Sequence, residues 1–244
     1  MDNEKQQTEH LATSRKPLGR KSYGSIGHLP NSRLGPSDSC VTEGQAKICT
    51  SKARDKHDII IVQEKLDGSN VGVVLLNGEI IPLSRAGYHA RTSPFEQHHL
   101  FADWVMWNES RFRRVLREGE RICGEWLAQA HGTIYEIGGP FEPFAAFDIM
   151  VGPDRKTFQK FTEQLDTVFQ TPTLLHCGSP LSVEDAMKIH EEYRYPCDEI
   201  EGVVYRVERH GKVDFFAKYV RPDKVDGKYL ESVTGQPSVW NWRP

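Results

Sequence analysis

Residues 58–70 read DIIIVQEKLDGSN: an apolar run that ends on Lys65, followed by Asp67 two positions on and then Gly68. The β-branched residues Ile59, Ile60, Ile61 and Val62 predict a strand over Asp58–Lys65. A lysine at the end of such a strand is a candidate nucleophile, because burial and neighbouring cations lower the pKa of an amine. If the chain stays extended, Asp67 falls on the same side as Lys65 and can orient metal-bound water. Gly68 then lets the backbone pass close to a phosphate. K-x-D-G alone is weak, arising by chance in roughly one chain in twenty of this size. A second copy, Lys224-Val225-Asp226-Gly227, follows the last expected strand and reads as a surface turn.

Outward from this stretch, Asn70–Leu76 reads as the next strand. Asn77-Gly78 supplies a tight turn, and Glu79–Arg85 returns. Apolar residues at Phe101, Trp104, Val105, Phe112, Val115 and Leu116 predict one amphipathic helix over about 95–118, closed by Gly119. Strands are predicted at Arg121–Ala128 and Pro143–Met150. One helix carries Phe158, Phe161, Leu165 and Val168, and another starts at Ser182 with Asp185 in the capping-box position. A hairpin closes the pattern, Glu201–Glu208 and Val213–Val220 joined through Arg209-His210-Gly211-Lys212. The expected class is α+β with largely antiparallel strands. No Walker or dinucleotide loop is present in the sequence.

Residues 1 to about 20 are polar and expected to fray. Residues 22–44 are rich in Gly, Ser and Pro, yet carry Tyr23, Ile26, Leu29 and Leu34, which a pure linker does not need. They are expected to lie against the domain. The division expected is an extension over 1–45 and a domain over 46–244.

At 244 residues the chain can bury a genuine core. A net charge of −3 argues against a general polyanion binder, so a nucleic-acid surface must be a local patch. Candidates are Arg15-Lys16 with Arg20-Lys21, and Arg111, Arg113, Arg114 and Arg117, for which a solvated helix face is the equal alternative. Nothing approaches the roughly 20 apolar residues of a membrane span, and the polar start lacks a signal peptide, so a cytoplasmic protein is expected. Five cysteines without a CxxC pair favour thiols over disulfides or a zinc ribbon. His98-His99 do not share a helix face and make a poor metal pair. His28 and Arg33 lie in a stretch readable as a phosphate loop or, more simply, a linker.

The residues that follow Lys65 sharpen the reading. Ser84-Arg85 ends a strand, Gly124-Glu125-Trp126-Leu127 lies within one, and Phe147-Asp148-Ile149 ends another. Glu201-Gly202-Val203-Val204 opens the last hairpin and Ala217-Lys218-Tyr219 closes it. Singly, Arg85 reads as a surface cation, Phe147 as core, and Glu125 and Glu201 as solvated strand residues. Glu125 and Phe147 sit in otherwise apolar strands, where an unpaired carboxylate is costly.

Together and in this order, EKLDGSN, SRAG, GEWLA, AFDI, EGVVYR and AKYVR resemble the nucleotidyltransferase signature of ATP-dependent ligases and mRNA-capping enzymes. The flavour is that of the RNA ligase 2-like branch, over roughly residues 58–221. The resemblance implies an ATP-grasp-like nucleotidyltransferase domain of antiparallel sheets with flanking helices, with ATP between the sheets. It implies that Lys65 forms a lysyl–AMP phosphoramidate, that Glu125 holds the ribose, and that Phe147 stacks on adenine with Val204 on the other side. Arg85 is implied near the phosphates, and Glu64, Gly68 and Asn70 among the nucleotide contacts. Asp67 and Glu201 are implied as water-mediated ligands of Mg²⁺ or Mn²⁺, and Lys218 as the lysine on the α-phosphate, completing a catalytic set with Lys65 and Glu201. The usual last motif has two lysines flanking one residue; here Tyr219 and Val220 follow Lys218, leaving Arg221 as the substitute for the other. The implied partner is RNA with 5′-phosphate and 3′-hydroxyl ends, as in RNA repair. A DNA ligase, a capping-type guanylyltransferase and a non-catalytic RNA-end-binding protein stay open. Because 23 residues follow Arg221, leaving no room for the accessory C-terminal domain of many ligases, the grip on RNA is expected from the N-terminal segment or a partner, or else the substrate is not long RNA.

Overall fold

The computed structural model describes residues 15–193 and 196–244, so the expected fraying of residues 1–14 lies outside the described residues. In chain order the elements begin with β1 (Gly27–His28), α1 (Glu43–Thr50), β2 (Asp58–Lys65), β3 (Ser69–Leu76) and β4 (Glu79–Ser84). A 3₁₀ turn (Ala90–Thr92) leads to α2 (Glu96–Trp107), α3 (Glu109–Val115), β5 (Glu120–Trp126), β6 (Phe144–Val151) and β7 (Asp154–Arg155). The remainder is α4 (Phe158–Leu165), β8 (Leu174–Gly178), α5 (Val183–Tyr193), β9 (Gly202–Arg209), β10 (Lys212–Val220) and α6 (Glu231–Thr234).

The strands form two five-stranded sheets, ordered β1-β10-β9-β2-β8 and β4-β3-β5-β6-β7. Every pairing between these strands is antiparallel except β1 with β10. The class is therefore α+β, as expected. Strand alternation gives each sheet two faces. In the first sheet Ile60, Val62, Val203, Tyr205, Val207 and Ala217 pack with Ala46 of α1 and Ala186 of α5. In the second, Val71, Val73, Ile122, Trp126 and Phe144 pack with Phe101, Trp104, Phe112 and Phe161 of α2, α3 and α4. Burying each such large side chain contributes about 1.5–3 kcal/mol, so these faces are firmly held. The opposite faces carry Gln63 and Lys65, Asn70, Glu125, Val204 and Lys218, and a cavity lies among them.

Three expectations change: the single helix over 95–118, its closure by Gly119, and the anchor at Leu34. The single helix over 95–118 is two helices, because Asn108 leaves helical geometry (φ −109°, ψ 18°) and its Nδ2 donates to the Trp104 carbonyl. Gly119, at φ +80°, sits in the turn into β5 instead of closing a helix. The stretch before residue 45 is built into the first sheet: β1 pairs with β10, and Tyr23 and Leu29 are buried. Leu34, expected as an anchor, is exposed.

Candidate active site

Lys65 is the last residue of β2 and pairs in register with Gly202 at the start of β9. Its Nζ lies 2.6 Å from Glu201 Oε2 and 3.4 Å from the Leu66 carbonyl. The cavity it faces has a volume of about 910 Å³, within the range of small-molecule sites. One part of the wall is apolar, from Tyr23, Ile26, Phe147, Val204 and Phe216; another is polar, from Lys65, Glu125, Asn70, Arg85 and Lys218.

Phe147 reaches the cavity through a bulge. Cys123 pairs with Asp148 but Gly124 pairs with Ala146, so Phe147 is the extra residue on β6. A bulge re-aims the side chain it carries. Tyr23 packs edge-on against the Phe147 ring, with centroids 5.1 Å apart. Glu125 Oε1 accepts the Gly68 N–H at 3.1 Å, tying the loop after Lys65 to β5. Gly68 is needed for that approach: a Cβ there would lie 2.4 Å from the Trp126 carbonyl oxygen.

The electrostatics follow from burial and crowding. Burial pulls the Lys65 ammonium down, but the carboxylates of Glu201, Glu125 and Asp67 more than offset it and hold the amine protonated. Burial, assisted by Asp67, pushes Glu125 up to about 7 against the opposing pull of Lys65. Lys218 is lowered by burial and by Lys65, although Asp38, 3.6 Å away, opposes the shift.

The other expected residues divide. Arg85 lines the cavity and donates to the Gly24 carbonyl and Ser25 Oγ. Glu64 borders it, but its Oε1 accepts from both the backbone N–H and the hydroxyl of Thr173 at 2.7 Å. Arg221 points elsewhere and pairs with Glu199 at 2.8 Å. Glu201 reaches the cavity only through Lys65.

Asp67 is not on the cavity wall. The strand ends at Lys65, so the alternation that was to place both side chains together does not extend that far. Its Oδ2 accepts the Gly132 N–H at 2.8 Å and lies 3.0 Å from Lys224 Nζ. The second K-x-D-G is a surface turn at Val225 and Asp226, which are exposed, but Lys224 is buried, and its side chain holds the aspartate of the first copy.

The expected basic face is mostly spoken for. Arg111 makes two 2.7 Å hydrogen bonds to Glu142, Arg113 pairs with Glu109, and Arg114 lies 3.7 Å from Asp166. Those partners favour the solvated-face reading. His28 belongs to β1 and lies 3.1 Å from Asp38, so neither the phosphate loop nor the linker describes it. Sequence reasoning missed Tyr23 and Ile26 as cavity residues, though it marked both as apolar anchors; it had no signal for His98 or Tyr88, which also line it.

No group of three or more His, Cys, Asp or Glu side chains able to hold a metal exists among the described residues. Mg²⁺ is usually held by one or two carboxylates together with a ligand's phosphates rather than by an all-protein cage. Of the two carboxylates expected to hold it, Glu201 lies 2.6 Å from Lys65 Nζ, and Asp67 is held by Lys224 and the Gly132 N–H.

Fold and cavity together define an α+β protein with a cleft of about 910 Å³ between two sheets and a lysine in its wall. The family model described as RNA ligase matches residues 58–220, and the chain belongs to that family. No curated protein sequence matches it. Among solved structures, the chain is similar to an archaeal ATP-dependent RNA ligase (TM-score 0.49, 18% identity, 81% of this chain and 48% of that one). It is similar to a putative ATP-dependent DNA ligase from Aquifex aeolicus (0.49, 19%, 81% and 49%). A Naegleria gruberi RNA ligase mutant with AMP and Mn gives 0.47, 17%, 84% and 61%. The chain spans about half to three-fifths of the length of these structures. No helix among the described residues is long and apolar enough to cross a membrane.

Proposed function

We propose that this chain is the adenylation unit of an RNA ligase and takes AMP from ATP on Lys65. The observation that carries the reading is the placement of the Lys65 amine in one cavity with an aromatic ring, Phe147, and two further cations, Arg85 and Lys218. Phe147 and Val204 offer apolar faces to adenine, and Glu125 offers a carboxyl to the ribose hydroxyls. Lys218 and Arg85 offset phosphate charge as it develops in the transfer. The Lys65 ammonium, oriented by Glu201 Oε2 2.6 Å away, first loses a proton to solvent, which frees the lone pair of Nζ; Nζ then bonds to the α-phosphorus, the bond to pyrophosphate breaks, and the second proton shed by Nζ leaves with the pyrophosphate. Glu201 would hold a divalent cation through water, and the cation would supply positive charge to the leaving pyrophosphate. AMP then moves to an RNA 5′-phosphate, and a 3′-hydroxyl displaces it to seal the strand.

Incubation with α-labelled ATP or GTP, with and without chelator, tests the first half-reaction. We expect acid-labile label on the protein from ATP only, lost in chelator. Label from GTP instead points to a capping-type enzyme, and no label from either nucleotide overturns catalysis by this unit. Sealing of 5′-phosphate RNA but not of DNA completes the test.

A further inference from the structure

Lys224 has a side chain with no exposed surface, an unusual state for a lysine, which is almost never fully buried unless paired. Its Nζ lies 3.0 Å from Asp67 Oδ2, donates to the Thr133 hydroxyl, and is 4.0 Å from Glu199 Oε2. Glu199 is largely engaged by Arg221 and Lys228 at 2.8 and 2.9 Å, so the principal anion of Lys224 is Asp67. Asp67 in turn belongs to the three-residue loop that joins Lys65 to β3.

That loop has few other holds. The Asp67 N–H donates to the Tyr135 hydroxyl at 2.8 Å, and the Gly68 N–H donates to Glu125. The Asp67 carboxylate is the only side chain of 66–68 with polar partners, and it finds them in Gly132 and Lys224. The fit is close: a Cβ on Gly132 would meet the Val225 carbonyl oxygen at 2.7 Å and Lys224 Cε at 2.9 Å. A buried charge pair held this tightly adds little net stability but is costly to break from one side. Its natural use is to fix geometry.

We infer that Lys224 is a positioning residue for the nucleophile: it clamps Asp67 from behind the cavity and so sets the direction in which the end of β2 delivers Lys65. The inference rests on the reading of Lys65 as the group that takes AMP. It assigns a task to the second K-x-D-G lysine, which touches no part of the cavity. Because Lys224 acts through Asp67, removing it should slow transfer to bound ATP while leaving ATP binding alone.

The test is single-turnover labelling by α-labelled ATP in Lys224→Met, Asp67→Asn and the double variant, with Lys65→Ala in parallel. We expect Lys224→Met to lower the maximal rate at least tenfold with the half-saturating ATP concentration within about twofold of wild type. In the Asp67→Asn background the same change should cost less than twofold. Equal losses in both backgrounds, or a wild-type rate in a folded Lys224→Met protein, overturn the inference. If Lys224→Met alone does not fold, Asp67→Asn against the uncharged double variant decides: equal maximal rates support the clamp, and a tenfold difference overturns it. Labelling that survives Lys65→Ala is a different failure, that of the reading beneath.

Discussion

Glu125 sits where burial and Asp67 raise its carboxyl to about 7, against an ordinary value of 4.5. Between those two values the folded protein holds a proton that the unfolded chain has lost. The stability that Glu125 contributes therefore falls as pH rises through that window and levels off above it, while Glu201, which burial pushes up to about 8, extends the decline. We expect thermal unfolding midpoints to decline from pH 5 to 7.5, and Glu125→Gln to flatten the decline; an unchanged slope in Glu125→Gln would place the titrating group elsewhere. Phe147 makes a separate case. If its ring stacks on the base, Phe147→Leu should raise the ATP concentration needed for labelling several-fold, and Phe147→Ala should raise it further through lost packing. Unchanged ATP dependence in both makes the ring core only. At this scale the sequence was informative for residues whose strand reached them, Lys65, Glu125 and Val204. It misled for Asp67, whose side is set by a loop, and for Lys224, whose partners Asp67 and Thr133 are distant in sequence.

The element that most shapes the cavity is the segment before α1. It crosses the inner face of the second sheet, where Arg121 Nε donates to the Ser22 carbonyl, and then adds β1 to the first. Tyr23 and Ile26 of this strap complete the apolar wall. Gly72 lies beneath it: a Cβ there would sit 2.3 Å from Ser22 Oγ. We expect Gly72→Ala to cost about 1–3 kcal/mol by overpacking, to speed proteolysis near residues 20–30, and to weaken ATP dependence of labelling; a variant with wild-type cleavage and wild-type ATP dependence would show that the strap does not shape the site. Long apolar strands with turn residues were legible, including the Asn77-Gly78 and His210-Gly211 hairpins, both of which place left-handed residues at the turn. The strap strand β1 has two residues, and β8 lies at a sheet edge with partly exposed side chains, so neither carries a strong period. Phe147 was legible as an aromatic, but the bulge that turns it inward depends on pairing with β5 and leaves no local mark.

For the whole molecule, the proposed function asks how a chain of net charge −3 would meet RNA. Of the N-terminal cations, Arg15, Arg20 and Lys21 are exposed, Lys16 lies 4.9 Å over the Tyr88 ring at the cavity, and Arg33 pairs with Asp226. We expect replacement of Arg15, Lys16, Arg20, Lys21 and Arg33 by Gln to reduce sealing in a salt-dependent way and to leave lysyl–AMP formation largely intact. Sealing unaffected at physiological salt would move the RNA grip off this segment. The family and the two-sheet architecture were readable because six short motifs fall in a fixed order along strands; the strap and the Lys224–Asp67 clamp were not, because both exist only once distant segments meet. Everything proposed here depends on Lys65 being the residue that carries the nucleotide. The direct measurement is to label the protein with α-labelled ATP, digest it and locate the label. We expect AMP on the peptide containing Lys65, and none on the whole protein after Lys65→Ala. AMP on any other residue, or undiminished label in Lys65→Ala, would contradict this.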